Sequence, residues 1–249
     1  MNYLKLPFVL IVLIVAVFTV KALYVTPVAF QARQPEDNSN FPIASIEEAK
    51  SSDTKENPKR KIKGKRYDNW NIVNKTAEQG GIEIVSEIEY PALPVVDSDA
   101  IVIGEIVKAQ AHLSNDLGGI YSEFTTRVSQ VLKQDSHTTI VLDSSISVER
   151  PGGRVLFPSG KIAKYHLRGQ GMPRQGRVYL LFLKRIEDDY KLITGYELRS
   201  GKVSPIDGAI SSVGDKKWPS DLYIGADQSQ LLADLQKEIN NPSQKVVVY

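Results

Sequence analysis

Alternation of apolar and polar side chains predicts β-strands along most of the chain after residue 80. In residues 80–90, GGIEIVSEIEY, isoleucines alternate with glutamates, which is typical of a half-buried strand with an acidic outer face. Residues 98–113 and 120–133 flank a cluster of turn residues and predict a long hairpin. Its second strand changes parity at Val131, which predicts a bulge near Ser129, and Gly104 predicts a bend or bulge in the first strand.

A shorter hairpin is predicted in the middle of the chain. Residues 154–158 and 160–168 flank a Pro-Ser-Gly turn, so the two segments should pair in antiparallel fashion. By parity, Lys164, His166 and Arg168 project from the face opposite the apolar positions of their strand.

The glycine-rich stretch GQGMPRQG, residues 169–176, is predicted to be a connection and not a phosphate loop. Its glycine spacing matches neither common phosphate-binding fingerprint, and a phosphate loop needs a helix after the glycines. The following residues, RVYLLFLKR, are apolar on both faces, which predicts a buried central strand.

The end of the chain predicts one more hairpin and a helix. Residues 190–207 turn at Ser200 and Gly201, and Asp227 with Gln230 forms the pattern of a capping box. Asn240-Asn241-Pro242 should end that helix. Many strands joined by hairpin turns, with one late helix, predict an all-β fold: a partly open β-barrel closed by a C-terminal α-helix.

The N-terminus carries an uncharged hydrophobic stretch, LPFVLIVLIVAVFTV, over residues 6–20. It matches the core of a signal peptide and is shorter than the roughly 20 residues of a spanning helix. It is either a cleaved signal, with the small residue Ala22 near a cleavage point, or a hydrophobic helix that anchors the chain in the inner membrane. Both interpretations predict an extracytoplasmic protein, secreted, periplasmic or membrane-anchored.

Residues 31–66 are rich in Pro, Asn, Ser and charge, which predicts a disordered linker. Its basic end, KRKIKGKR, is either a solvated stretch or a contact with an anionic surface. The predicted organisation is therefore a signal or anchor at 1–30 and a linker at 31–66. A β-barrel domain at 67–226 and a C-terminal helix and tail at 227–249 follow.

The composition excludes sites that need cysteine, and the sequence motifs give little indication of catalysis. The chain has no cysteine, so disulfides, cysteine zinc sites and thiol nucleophiles are excluded. His112, His137 and His166 lack the spacing of metal ligands. Acid pairs at Asp97 and Asp99, and in residues 187–189, lie at element ends, where solvated acids are common. We predict no catalytic residue, metal or cofactor, although a catalytic triad assembled in space would leave no sequence signature.

One stretch does suggest binding, because no Asp or Glu occurs between Arg150 and Arg185. Cations gathered on one face attract anions such as acidic polysaccharide or phospholipid headgroups. Nucleic acid is not expected, because interleaved exposed aromatics are lacking. The candidate anion-binding residues are Arg154, Lys161, Lys164, His166, Arg168, Arg174 and Arg177.

The alternative is internal charge balance. Glutamates on other strands could pair with these cations across the sheet, and the stretch would then be no site. The glutamates considered for this are Glu83, Glu87, Glu89, Glu105 and Glu123.

Several stretches resemble a set of uncharacterised exported bacterial proteins, namely SDAIVIGEIVKAQAHLSND, YSEFTTRVSQVLK, VERPGGRVLFPSG, GQGMPRQGRVYLLFLKR and LITGYELRSGKVSPID. More distantly they resemble OB-type barrels of the netrin-module and metalloprotease-inhibitor kind. The resemblance implies an OB-like barrel and no activity. We expect a non-enzymatic envelope module that binds an anionic polymer or a protein partner. The alternative is an extracytoplasmic hydrolase or protease inhibitor that uses the turns at residues 114–119 or 169–176.

Overall fold

The computed structural model describes residues 41–51, 58–73, 81–84, 90–136, 139–208 and 217–242. The predicted signal or anchor and His137 lie outside the described residues. Within this described part, none of the helices combines the length and apolar character needed to cross a membrane.

The described elements are mostly strands. The strands are β1 Ile43–Ser45, β2 Gly81–Ile84, β3 Ala100–Leu113, β4 Ile120–Gln134, β5 Ser145–Pro151, β6 Gly153–Leu156, β7 Ile162–Leu167, β8 Val178–Ile186, β9 Asp189–Arg199 and β10 Lys202–Pro205. The helices are α1 Ile46–Ser51, α2 Pro58–Lys65 and α3 Gln228–Asn240, and a 3-10 turn spans Pro219–Tyr223.

The larger sheet closes partly on itself. Its strand order is β10-β9-β5-β4-β3-β8, and β8 also pairs with β9, so β3, β4, β5, β9 and β8 form a ring. Neighbours in the ring are antiparallel, except that β5 runs parallel to β9. That seam has only two residue pairs, Val148 with Tyr190 and Glu149 with Lys191. The prediction of a β-rich, partly closed sheet is confirmed.

The long hairpin of β3 and β4 has the predicted irregularity. Ile103 pairs with Gln130 and Gly104 with Val128, so Ser129 is the extra residue of a bulge. A Cβ on Gly104 would lie 2.7 Å from the carbonyl oxygen of Arg127. Glycine is therefore needed at this point, where the two strands approach closely.

Strand β8 is buried on both faces, as its apolar sequence predicts. Leu181 and Leu183 belong to the core cluster that also contains Phe124 and Val128 of β4. Leu180 and Phe182, on the other face, belong to a second cluster that includes Leu231 and Leu235 of α3. A strand covered by side chains on both sides has no polar alternation, which explains the run of apolar residues.

Helix α3 ends at Asn240 as predicted, but its start differs from the expected capping box. Asp227 is the N-cap residue, yet its side chain makes no capping hydrogen bond. The Asp227 carboxylate instead accepts a 2.7 Å bond from Lys202, and Gln230 donates to Asp234. The nearby ammonium competes successfully for the carboxylate.

The smaller sheet has the order β1-β6-β7-β2. Strands β6 and β7 form the predicted antiparallel hairpin, and β1 and β2 flank it in parallel orientation. Val155, Ala163 and Tyr165 are fully buried beneath the hairpin. In the chain, this hairpin is inserted between β5 and β8 of the ring.

The predicted linker contains ordered structure wherever the structure describes it. Strand β1 and helices α1 and α2 all lie within residues 31–66. Phe41, Ala44 and Ile46 are buried, and Lys63 is buried too. Average composition predicted disorder because apolar residues are sparse here. The structure departs from that prediction because the few apolar residues are placed in the core.

A fully buried guanidinium ties several parts of the ring together. Arg150, near the end of β5, has no exposed surface. It donates to the carbonyl of Gly171 at 2.6 Å, the carbonyl of Ile193 at 3.2 Å and the carboxylate of Asp207 at 2.7 Å. The second Asp207 oxygen accepts from the Gly171 N–H at 3.0 Å. A charge this deeply buried needs such partners, because desolvation is costly.

Removing the Asp207 carboxylate should destabilise the fold strongly. Asp207→Ala leaves the buried Arg150 charge uncompensated, which should lower the free energy of unfolding by about 3 kcal/mol or more. The matched control, Asp227→Ala, breaks the exposed pair with Lys202 and should cost at most about 1 kcal/mol. Urea unfolding measures both. Equal, small losses in the two variants would contradict this role for Arg150.

Candidate functional site

Three of the candidate anion-binding residues share one face of the smaller sheet. Arg154 of β6 lies directly opposite Lys164 of β7 in antiparallel register, so both side chains project to the same side. His166 lies two residues further along β7 and therefore has the same orientation. All three are partly exposed, whereas Ala163 and Tyr165 are buried. The parity predicted for β7 is confirmed.

Phe41 lies at the centre of these three side chains. The Lys164 ammonium is 4.1 Å from the centroid of the Phe41 ring, a cation–π contact. The His166 ring meets the same ring edge-on at 5.9 Å. Arg154 donates its Nε–H to the Phe41 carbonyl at 2.8 Å. Sequence analysis missed this organising residue, because Phe41 belongs to the segment predicted to be a linker.

Two more candidate residues lie at the two ends of β7. Lys161, just before the strand, and Arg168, just after it, are both exposed. We call the surface formed by Arg154, Lys161, Lys164, His166 and Arg168 the basic face.

The other two candidates, Arg174 and Arg177, lie apart from β6 and β7, in the connection to β8. Arg174 is exposed, and its backbone N–H donates to the Tyr179 hydroxyl at 2.8 Å. The Arg177 carbonyl accepts a bond from the Ile106 N–H of β3, and its Nε is 3.8 Å from the Glu197 carboxylate. The structure therefore attaches these two arginines to the larger sheet.

Two of the glutamates considered for charge balance pair with other cations, and Glu87 and Glu89 lie outside the described residues. Glu105 pairs with Arg127, and Glu123 pairs with Lys63. Neither partner belongs to the basic face. Glu83 of β2, however, stands at the register position beside His166. The charge-balance interpretation therefore stays open at this edge of the sheet.

The turn at residues 114–119 uses its polar groups to hold its own shape. The Ser114 hydroxyl donates to Asp116 at 2.6 Å and accepts from the Gly119 N–H at 2.7 Å. Asp116 also accepts from the N–H groups of Gly118 and Asn69. Burial alone would raise the pKa of Asp116, but these hydrogen bonds hold it below its usual value.

The acid pairs are likewise engaged with cations. Asp99 accepts from the Lys184 ammonium at 2.8 Å and from the Arg185 N–H at 2.9 Å. These bonds overcome the effect of burial and lower the pKa of Asp99. Glu187 pairs with Arg66 and Asp189 with Lys63. Each of these carboxylates has a structural partner.

His112, on β3, is buried and lies 5.4 Å from the ring of Tyr121. Burial, followed by the charges of Arg60, Lys63 and Lys108, lowers the pKa of His112 to about 3. It is therefore neutral near pH 7 and takes the role of a packed aromatic side chain.

No protein-family model matches the chain, and no curated protein matches it.

The state of His112 predicts a pH dependence of stability. Its pKa is about 3 in the folded chain, against an ordinary value of 6.5. The unfolded chain binds the extra proton between these values, so stability should fall as the pH drops below about 6.5. When the pH is lowered from 7 to 5, the free energy of unfolding of the unmodified protein should fall by up to about 2 kcal/mol more than that of the His112→Gln variant.

Urea unfolding of both proteins at the two pH values measures this difference. The His112 imidazole signals in NMR spectra should also stay unchanged from pH 8 to pH 4. A titration midpoint near 6.5 would show that the ring is accessible to solvent.

Proposed function

We propose that this protein is an exported or membrane-tethered envelope protein that binds without catalysis, recognising an anionic polymer or a protein partner through the basic face. The observation that carries the proposal is the convergence of Arg154, Lys164 and His166 on one sheet surface around Phe41. Lys161 and Arg168, at the two ends of β7, are exposed.

The spacing of the basic face suits an extended polyanion. Lys164, His166 and Arg168 occupy alternate positions along the chain, so their side chains follow one another at about 6.6 Å. Arg154, across the hairpin, adds a second row. A polymer with regularly spaced carboxylates or sulfates, such as an acidic polysaccharide, could contact several of these groups at once.

The strand order supports an OB-like fold for the ring. Numbered along the chain within the ring, the five strands follow the order 1-2-3-5-4, with the third and fifth parallel. OB-type barrels are partly open five-stranded barrels that often bind extended polymers. This analogy favours a binding module over an enzyme, but it concerns the fold and not the site.

The envelope location rests on the sequence. The uncharged hydrophobic stretch at residues 6–20 is typical of export. An acidic polysaccharide or an anionic lipid headgroup is a ligand that an exported protein would meet there.

Charge reversal on the basic face should weaken binding to an immobilised acidic polysaccharide. We expect Lys164→Glu with Arg168→Glu to lose on the order of tenfold in affinity and to elute at lower salt. The matched control, Lys237→Glu with Arg199→Glu, makes the same change in net charge at exposed positions on α3 and β9. It should elute nearly as the unmodified protein does.

Elution of the two double variants at the same salt concentration would refute a localised site. It would show that only net charge matters. Circular dichroism and urea unfolding should first establish that both variants are folded.

A further inference from the structure

A second charged surface lies on the outside of the ring, and it is acidic. Glu123 of β4 and Glu149 of β5 are directly opposite each other in antiparallel register. Like charges in that position destabilise a sheet unless cations compensate for them. Glu187 and Asp189 lie at the turn between β8 and β9. Like the two glutamates, they form ion pairs with Lys63 and Arg66. We call these four carboxylates the acidic face.

The acidic face is covered by residues 63–67, Lys-Gly-Lys-Arg-Tyr, which we call the basic segment. The Lys63 ammonium is 2.5 Å from Glu123 and 3.1 Å from Asp189, and it donates to the Ser147 hydroxyl at 2.9 Å. Its side chain is only 9% exposed. Burial lowers the pKa of Lys63, but the two carboxylates outweigh burial and raise it.

Arg66 and Tyr67 contact the remaining carboxylates. The two Arg66 Nη groups donate to Glu149 at 2.8 Å and to Glu187 at 2.7 Å. The Tyr67 hydroxyl donates to the other Glu149 oxygen at 3.2 Å. Each carboxylate of the acidic face therefore meets a donor from the basic segment.

The contact also selects for shape. A Cβ on Gly64 would lie 2.4 Å from the Asn115 side-chain oxygen, so a larger residue there would require the Asn115 side chain to move. The Tyr67 ring stacks on Tyr121 with centroids 4.6 Å apart and planes 9° apart. Tyr67 also passes so close to Gly119 that a Cβ there would lie 2.2 Å from its carbonyl oxygen. The contact therefore depends on the stacking of Tyr67 as well as on positive charge.

Helix α2, which leads into the basic segment, buries little apolar surface. Its buried residues are Lys63 and Gly64, and its apolar residue Ile62 is 48% exposed. A helix of eight residues is not stable alone in water. Its position therefore depends on polar contacts, namely those with the acidic face and the 2.9 Å bond that the Asn115 side-chain amide donates to the Lys61 carbonyl.

The basic segment leaves polar groups beneath it unsatisfied. Among the described residues, the buried Tyr121 hydroxyl and the buried Nδ1 of His112 have no hydrogen-bond partner. Tyr121 is the ring on which Tyr67 stacks, and His112 contacts Tyr121. Buried groups without partners cost free energy. The segment that covers the acidic face thus leaves buried polar groups without hydrogen bonds.

We propose that the acidic face is a receptor site for a basic protein segment of the pattern Lys-Gly-x-Arg-Tyr, and that residues 63–67 occupy it in cis until a partner's segment displaces them. This site is independent of the basic face and has the opposite charge. Its ligand is a cationic peptide segment, because the largely buried carboxylates of Glu123, Glu149 and Asp189 need cations when the basic segment is displaced.

A variant in which the basic segment is displaced tests the proposed site directly. In the full chain, Lys63→Glu with Arg66→Glu should expel the basic segment by repulsion. The probe is a fluorescent peptide with the sequence of residues 58–73, and anisotropy measures its binding. We expect this variant to bind the peptide at least tenfold more tightly than the unmodified chain does.

Two controls separate recognition from charge. Lys61→Glu with Lys65→Glu makes the same charge change at exposed positions of α2 and should not open the site. A scrambled peptide of equal composition should bind the opened variant at least tenfold more weakly. Equal binding of the native and scrambled peptides, or no binding by a folded Lys63→Glu, Arg66→Glu variant, would overturn the proposal.

A measurement on the unmodified chain covers the case in which that variant does not fold. Amides of residues 63–67 should exchange hydrogen faster than those of β4, and an excess of the peptide should speed their exchange further without affecting β4. Exchange of both regions at one common rate, unchanged by the peptide, would show that the segment is a permanent part of the fold and would overturn the proposal.

Discussion

The buried guanidinium of Arg150 is the interaction on which the architecture depends. Strands β5 and β9 close the ring through only two residue pairs, and Arg150 continues that seam by bonding the Ile193 carbonyl of β9. The same group holds Gly171 and Asp207. Because Arg150 precedes the β6–β7 hairpin and Gly171 follows it, one side chain fixes both ends of the insertion that carries the basic face.

The structure thereby presents two charged surfaces that come from different parts of the chain. The basic face belongs to the inserted hairpin and is organised by Phe41. The acidic face belongs to the ring and is covered by α2 and the residues after it. A net charge of +2 conceals both, because the opposite charges nearly cancel in the sum. Local geometry, not net charge, decides which partner each surface fits.

Local periodicity predicted most of the strands but few of the contacts that form the site. Alternation placed β3, β4 and β7, and an uninterrupted apolar run placed β8. A parity change located the bulge at Ser129, since side-chain direction follows from neighbouring residues alone. Pairing over long distances leaves no local pattern. Lys63 meets Glu123 across 60 residues, and nothing near Arg150 distinguishes a buried arginine from a solvated one. The capping box at Asp227 failed for the same reason, because Lys202 is distant in sequence.

The most direct test of the account is the state of the Arg150 guanidinium in solution. NMR of arginine side-chain protons, with Arg150 identified by its absence from Arg150→Lys spectra, reports how fast they exchange with water. The account predicts separate, slowly exchanging Nη protons with nuclear Overhauser contacts to Gly171 and Ile193. Rapidly exchanging, averaged signals like those of the exposed arginines would contradict it, since the seam and the inserted hairpin would then lack their common anchor.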